Sequence, residues 1–240
     1  MPRYLSEVNE YVYPDRHHPD GCNTVLFSRP NYDSDSRITL AFYNLSGENA
    51  QHKYIYGSDK IIVSIGCNTG EIITRTFFMK DNIINSCTET TTVSSEIKQY
   101  EYFYDANKRL IKTAITSDET DAVNIKWDGE NLSQVEYVTS KGTVLEEYRF
   151  EYLHNRKHNA KFPYFQLSCY YLGSVFGIDE ILMAEGYYGN SISADLPVKE
   201  YFIGILSREF EYSIDDKGYI TKISQLADGK TIRDYNLIWR

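Results

Sequence analysis

Glu101-Tyr102-Phe103-Tyr104-Asp105-Ala106-Asn107-Lys108-Arg109-Leu110-Ile111-Lys112 is the stretch on which the fold turns. Successive side chains of a strand point to opposite faces. Tyr102 and Tyr104, with Tyr100 upstream, therefore share one face, while Glu101 and Phe103 share the other. Asp105-Ala106-Asn107 reverses the chain, because Asx side chains bond their own backbone two residues on. Leu110 and Ile111 then start a second strand. The unit is a hairpin in which an aromatic ends one strand, an Asx/Gly turn follows and a branched apolar residue begins the next.

The unit recurs. Glu211-Tyr212-Ser213-Ile214-Asp215-Asp216-Lys217-Gly218-Tyr219-Ile220-Thr221-Lys222 aligns with it, Trp127-Asp128-Gly129-Glu130-Asn131-Leu132 is one residue shorter, and Tyr56-Gly57-Ser58-Asp59-Lys60-Ile61 is a weaker relative. Tyr148, Phe150 and Tyr152 alternate with Arg149 and Glu151, and Phe210, Tyr212 and Ile214 with Glu211 and Ser213. Turn signals return about every 10–13 residues, the interval of short strands joined by hairpins. The 22 tyrosines and 11 phenylalanines suit pleated faces. The pattern predicts a mainly β fold, a long antiparallel β-meander of about ten to thirteen strands. A sheet of that length must curl, split or be covered. A single layer, a sandwich and an open barrel all satisfy that demand.

Prolines at 2, 14, 19 and 30, with Asp33-Ser34-Asp35-Ser36 behind them, mark residues 1–37 as a loop-rich N-terminal segment. Residues 38–240 read as one β domain. Within it, residues 153–200 break the two-residue rhythm and read as a partly helical insertion. Gly177–Gly186 carries a short helix: Ile178, Ile181, Leu182 and Glu185 share a face, acidic groups occupy the first turn, and Gly186 supplies a left-handed cap.

Tyr104-Asp105-x-Asn107-x-Arg109-Leu110 resembles the YD repeat of RHS-type proteins, with Lys108 where that repeat usually has Gly. The longer layout is similar to a family of YD-repeat-like exported lipoproteins of unknown function from Gram-negative gut anaerobes. That family joins YD-like hairpins to an insertion with two short motifs. Their counterparts here are Lys157-His158-Asn159-Ala160 and Gly189-Asn190-Ser191-Ile192-Ser193-Ala194-Asp195-Leu196-Pro197, the first departing at Ala160 and the second stretched, with Asp195 for Asn. The resemblance covers residues 50–240. It implies an exported, mainly β protein at the periplasm, outer membrane or cell surface, with a lipid anchor in a removed leader. It implies no enzymatic activity.

Charge narrows the partners. Lys and Arg number 25 against 34 Asp and Glu, a net charge of −9 with no basic cluster. Phosphate neutralisation needs clustered Lys and Arg, so nucleic acid and anionic membrane surfaces are excluded as partners. No run of 18 apolar residues spans a membrane as a helix. Met1-Pro2-Arg3-Tyr4 lacks the apolar core of a signal peptide. Cys22, Cys67, Cys87 and Cys169 form no CxxC pair; free, mostly buried thiols are the leading reading, and two disulfides in any of three connectivities are the alternative.

Candidate chemistry is sparse. His154 and His158 stand four apart, and His17-His18 lie near Asp15, Asp20 and Cys22, but neither group brings a complete ligand set, and solvated loops explain both. Asp33-x-Asp35, Asp105-x-Asn107 and Asp215-Asp216 resemble starts of calcium loops without the Gly and distal Glu of an EF-hand; Asx turns explain them. Gly173-Ser174-Val175-Phe176-Gly177 has the wrong order for a nucleophile elbow. Glu146-Glu147 and Glu151 supply a carboxylate pair for glycoside hydrolysis if they converge. No cofactor or metal site emerges, and a non-catalytic binding module is the leading expectation. Tyr170-Tyr171 and Tyr187-Tyr188 in the insertion are its candidate ligand-binding residues, for a glycan or a protein. Packing of the insertion against the sheet is the competing use of these rings. The alternative functions are a scaffold acting through sheet edges and a carboxylate hydrolase.

Overall fold

The computed structural model describes residues 4–14, 20–45, 48–116, 121–139, 141–153 and 177–240. Sixteen strands follow in chain order: β1 (Leu5–Val12), β2 (Cys22–Tyr32), β3 (Ile38–Leu45), β4 (Glu48–Tyr56), β5 (Lys60–Cys67), β6 (Ile72–Lys80), β7 (Ile83–Thr91) and β8 (Ser94–Tyr104). Then come β9 (Leu110–Ile115), β10 (Asp121–Asp128), β11 (Asn131–Thr139), β12 (Val144–Leu153), β13 (Leu196–Phe202), β14 (Ile205–Ile214), β15 (Ile220–Ala227) and β16 (Lys230–Trp239). Each strand pairs antiparallel with its sequence neighbours, and β1 pairs with β16, which closes a barrel. The antiparallel β reading holds. The open meander of ten to thirteen strands is corrected to a closed sixteen-strand barrel. Residues 1–37 contribute β1 and β2 rather than loop. Pro30 fits in β2 because the β2–β3 register is irregular there, with Arg29 at φ 52°.

The turns after even-numbered strands gather at one end of the barrel, together with Tyr4 and Arg240, whose main chains exchange hydrogen bonds of 2.7 and 2.9 Å. The turns after odd-numbered strands form the distal end. The β12–β13 connection starts and finishes at the first end, and its described part, 177–195, packs into the barrel as a plug. Helix α1 (Glu180–Ala184) starts at Asp179, whose side chain accepts from the Leu182 N–H. Gly186 has φ +87°, the left-handed position expected of it. Ile178, Leu182 and Tyr188 are buried in the same core as Phe77, Ile84 and Ile223.

The tyrosine count has a structural reason. At the plugged end, aromatics near the ends of even strands donate to a carbonyl at the start of the preceding odd strand. Tyr32 donates to Leu5 O, Tyr56 to Ile38 O, Tyr104 to Ile84 O, Trp127 to Leu110 O, Tyr212 to Pro197 O and Trp239 to Ile220 O, at 2.5–2.9 Å. Each ring fills core while its polar tip satisfies a strand-end carbonyl. Tyr212→Phe is expected to cost about 1 kcal/mol, read as a drop of about 2–4 °C in Tm. An unchanged Tm would mean the carbonyl is equally well served by water.

The Asx turns are built alike. Asp33, Asp105 and Asp215 each accept from the backbone N–H groups two and four residues on, and the fourth loop residue (Ser36, Lys108 or Gly218) has positive φ. Arg37 and Arg109 also clasp their aspartates. For Asp33, the Arg37 guanidinium and backbone hold the carboxyl below its ordinary range. These carboxylates are committed to turn geometry rather than to calcium.

The two faces of the barrel wall have opposite characters. The outer face of β10–β15 carries ion pairs, across strands for Lys126–Glu136 at 2.7 Å and Lys199–Glu151 at 3.7 Å and along β12 for Arg149–Glu147 at 2.7 Å, with Lys222 on Asp234 of β16 at 2.9 Å. The outer face of β3–β7 is less charged, with Ile55, Ile62, Thr74, Thr76 and Phe78 beside Lys53. The inner face is aliphatic and aromatic over most of its height.

Candidate luminal binding site

Lumen-facing residues near the distal end break the apolar inner face. On one wall they sit two or three residues in from the strand ends. Val12 opposes Arg233, Glu10 opposes Tyr235 and Val8 opposes Leu237, so Glu10 and Arg233 share the inner face with buried Val8 and Leu237. Arg208 lies in register with inward Phe210 and Tyr212, and it faces Glu200 across the β13–β14 pair. The pairs are Arg233–Glu10 at 3.0 Å and Arg208–Glu200 at 3.7 Å. Glu200 is 1% exposed, yet the Arg208 and Arg233 side chains keep 37% and 46% exposure. Their guanidiniums therefore face water inside the mouth while their carboxylate partners are covered. Tyr235 bonds Arg233 and feels both Glu10 and Arg208, and buried Gln225 pairs with Arg233 across β15–β16.

The opposite wall repeats the theme. Arg75, Glu89 and Lys98 form one cross-strand row, with Arg75–Glu89 at 2.6 Å. Those two side chains are only 11% and 13% exposed, whereas Lys98 is exposed. His52 lies on the same side, against the Tyr43 ring at 4.4 Å. Burial, with Arg75 nearby, pushes its imidazole down to about 3, so it is neutral near pH 7, and its Nδ1 has no protein partner. Burial pushes the Cys87 thiol up to about 12, which makes it unreactive. Cys22, Cys67 and Cys87 form no disulfide, and Cys169 lies outside the described residues.

The plug forms a floor at the other end. Tyr54 donates to Asp179 at 3.2 Å, and Tyr102 donates to Gly177 O at 2.9 Å. Ile38 N and Tyr56 donate to Glu185 at 2.8 and 2.9 Å. The Ser191 and Ser193 hydroxyls accept from Leu110 N and Leu132 N, which pins the segment to β9 and β11. Gly189 has φ +67° and lies so close to Lys108 O that a Cβ would collide with it.

The anticipated ligand residues lie in or near this floor. Tyr188 is fully buried, edge-on to Tyr102 at 5.4 Å, and its hydroxyl accepts from Asp179 N. Tyr187 is half-buried and stacks on Tyr56 at 5.9 Å. Tyr170 and Tyr171 lie outside the described residues, as do His17, His18, His154, His158 and Gly173–Phe176 of the elbow-like stretch. The carboxylates do not converge: Glu146 faces the lumen, whereas Glu147 and Glu151 face outward on Arg149 and Lys199. Among the described residues no group of three or more His, Cys, Asp or Glu could hold a metal. Arg208 and Arg233 drew no attention in the sequence. The available signal was a charged residue in phase with aromatic inward positions, as in Arg208-Glu209-Phe210-Glu211-Tyr212.

A closed sixteen-strand antiparallel barrel, plugged at one end and charged inside the other, is the class that these features define. Two solved structures share the barrel fold. A porin-like protein from Bacteroides uniformis superposes with a TM-score of 0.68 at 13% identity, over 98% of this chain and 96% of that one. A porin-like protein from Bacteroides vulgatus gives a TM-score of 0.60 at 17% identity, over 100% and 99%. The likeness is one of fold. No protein-family model and no curated protein matches the chain. These comparisons correct the YD-repeat resemblance: the similar structures are porin-like barrels, and the lipoprotein reading falls with it. The Tyr-Asp-turn-Leu pattern is hairpin chemistry that this barrel uses at its plugged end.

Proposed function

We propose that the protein is a non-catalytic, porin-like barrel that receives a small polar ligand through its distal mouth. The observation that carries this reading is the pair of exposed guanidiniums, Arg208 and Arg233, on the inner face near the distal end. A floor tied to β3, β4, β8, β9 and β11 makes the lumen a cup rather than a through-channel. Porin-like neighbours support a place in a bacterial envelope. The outer ion pairs argue for water around the barrel there, because a membrane barrel alternates the other way, apolar outside and polar inside. Each Lys or Arg on a lipid face costs about 2–4 kcal/mol at the bilayer midplane. Lys126, Arg149, Lys199 and Lys222 together would cost about as much as an ordinary domain's whole stability. No helix among the described residues is long and apolar enough to cross a membrane.

The test is thermal unfolding against a mixed panel of sugars, amino acids, organic acids and nucleotides. A ligand at one hundred times its Kd adds about 2.7 kcal/mol, a rise of about 5–10 °C. The rise is expected to vanish in Arg208→Ala/Arg233→Ala and to persist in the outer-face variant Arg149→Ala. A panel without hits, or hits indifferent to the luminal pair, would defeat the reading.

A further inference from the structure

We propose that the Arg208–Arg233 wall of the distal cup recognises an uncharged, hydroxyl-rich ligand, a neutral saccharide or polyol, rather than an ion. This inference rests on the luminal-binding reading and names its ligand class. The chemistry lies in how the charges are paired. Arg233 has Glu10 at 3.0 Å, and Arg208 has Glu200 at 3.7 Å. Each guanidinium already faces its own carboxylate, so this wall presents no net charge with which to recruit an anion or a cation.

What the wall does present is a row of fixed donors and acceptors. Arg208 and Arg233 offer forked N–H groups and Glu10, 11% exposed, the edge of its carboxylate, while buried Tyr235 bonds Arg233 from behind and buried Gln225 lies beside it. A hydroxyl both donates and accepts. Neighbouring hydroxyls on one ring can thus engage an Arg and its Glu together, which neither a carboxylate nor an ammonium does. The ion pairs also hold the donors in place before the ligand arrives, so little side-chain freedom is lost on binding.

The experiment is isothermal titration of the purified chain at low and high salt. The probes are neutral oligosaccharides of two to six sugars, their uronic-acid counterparts, and oligolysine. The expected result is binding of a neutral sugar whose Kd changes less than two-fold with salt, since no net charge is exchanged. Glu10→Gln and Arg233→Ala should each weaken it at least ten-fold, while Arg149→Ala leaves it unchanged. Glu10→Gln keeps the shape of the site, so its effect does not depend on misfolding; circular dichroism of both variants confirms the barrel. Binding confined to a uronic acid or to oligolysine, with steep salt dependence and loss in the same variants, would overturn the neutral-ligand inference and leave the luminal reading standing. Sugar binding that ignores both luminal variants would overturn both.

Discussion

Tyr188→Ala is expected to lower the unfolding free energy by about 3–5 kcal/mol, the range for removing a fully buried ring. Tyr188 has no exposed surface, sits edge-on to Tyr102 and accepts a hydrogen bond from the Asp179 N–H at the start of α1. Truncation opens a cavity between floor and wall and orphans a buried backbone donor. Tyr188→Phe keeps the ring and removes only the hydroxyl, so it should cost about 1–3 kcal/mol. Urea unfolding followed by circular dichroism measures both. A loss below about 1 kcal/mol for the alanine variant would mean that the plug melts apart from the barrel and is no structural floor.

Glu185→Gln should make the protein more stable at pH 8 by about 2–3 kcal/mol and leave it nearly unchanged at about pH 4. Burial pushes the Glu185 carboxyl up to about 7, against an ordinary value of 4.5, and its hydrogen bonds from Ile38 N and Tyr56 only partly offset that. The folded chain therefore keeps this proton between about 4.5 and 7 while the unfolded chain has released it, so stability falls as pH rises through that window. Glutamine keeps one acceptor oxygen for Ile38 N and puts an uncharged NH2 beside the Tyr56 hydroxyl, which then bonds Ile38 O. Glu180, also pushed to about 7 by burial and by Asp179, acts in the same window, whereas neutral His52 pulls the other way below pH 6.5. The difference between wild type and variant isolates Glu185 from both. Equal stabilities at pH 8 would show that the carboxylate is well solvated in the folded chain.

Much of the fold was legible in local pattern. Tyr100, Tyr102 and Tyr104 against Glu101 and Phe103 fixed strand and face, and Asp105 and Asp215 fixed the turns. The short helix was readable from Asp179 and Gly186. Closure was not readable, because joining β1 to β16 depends on strand number and stagger summed around the whole sheet, and no local window contains those. Pro14, Pro19 and Pro30 disguised β1 and β2, and a register irregularity beside Arg29 absorbs Pro30 within β2. The candidate site was the least visible part. Arg208 and Arg233 look like ordinary surface charges until the register turns them inward.

The β1–β16 seam has a kinetic consequence. Every other pairing joins strands adjacent in sequence, but this one joins residues 5–12 to 233–239. Confining ends separated by some 230 residues costs about 5 kcal/mol of chain entropy in a single step. The hairpins can form early and locally, whereas the seam must wait for all of them, so it is the expected rate-limiting event of folding. Until it forms, β1 and β16 are both bare sheet edges open to pairing with other chains. A circular permutant joining Tyr4 to Arg240 and cut at the distal Lys141-Gly142 turn would turn β1–β16 into one more hairpin and move the long-range closure to β11–β12, so it should reach the same barrel through a closing step of similar length, with the bare edges moved to β11 and β12.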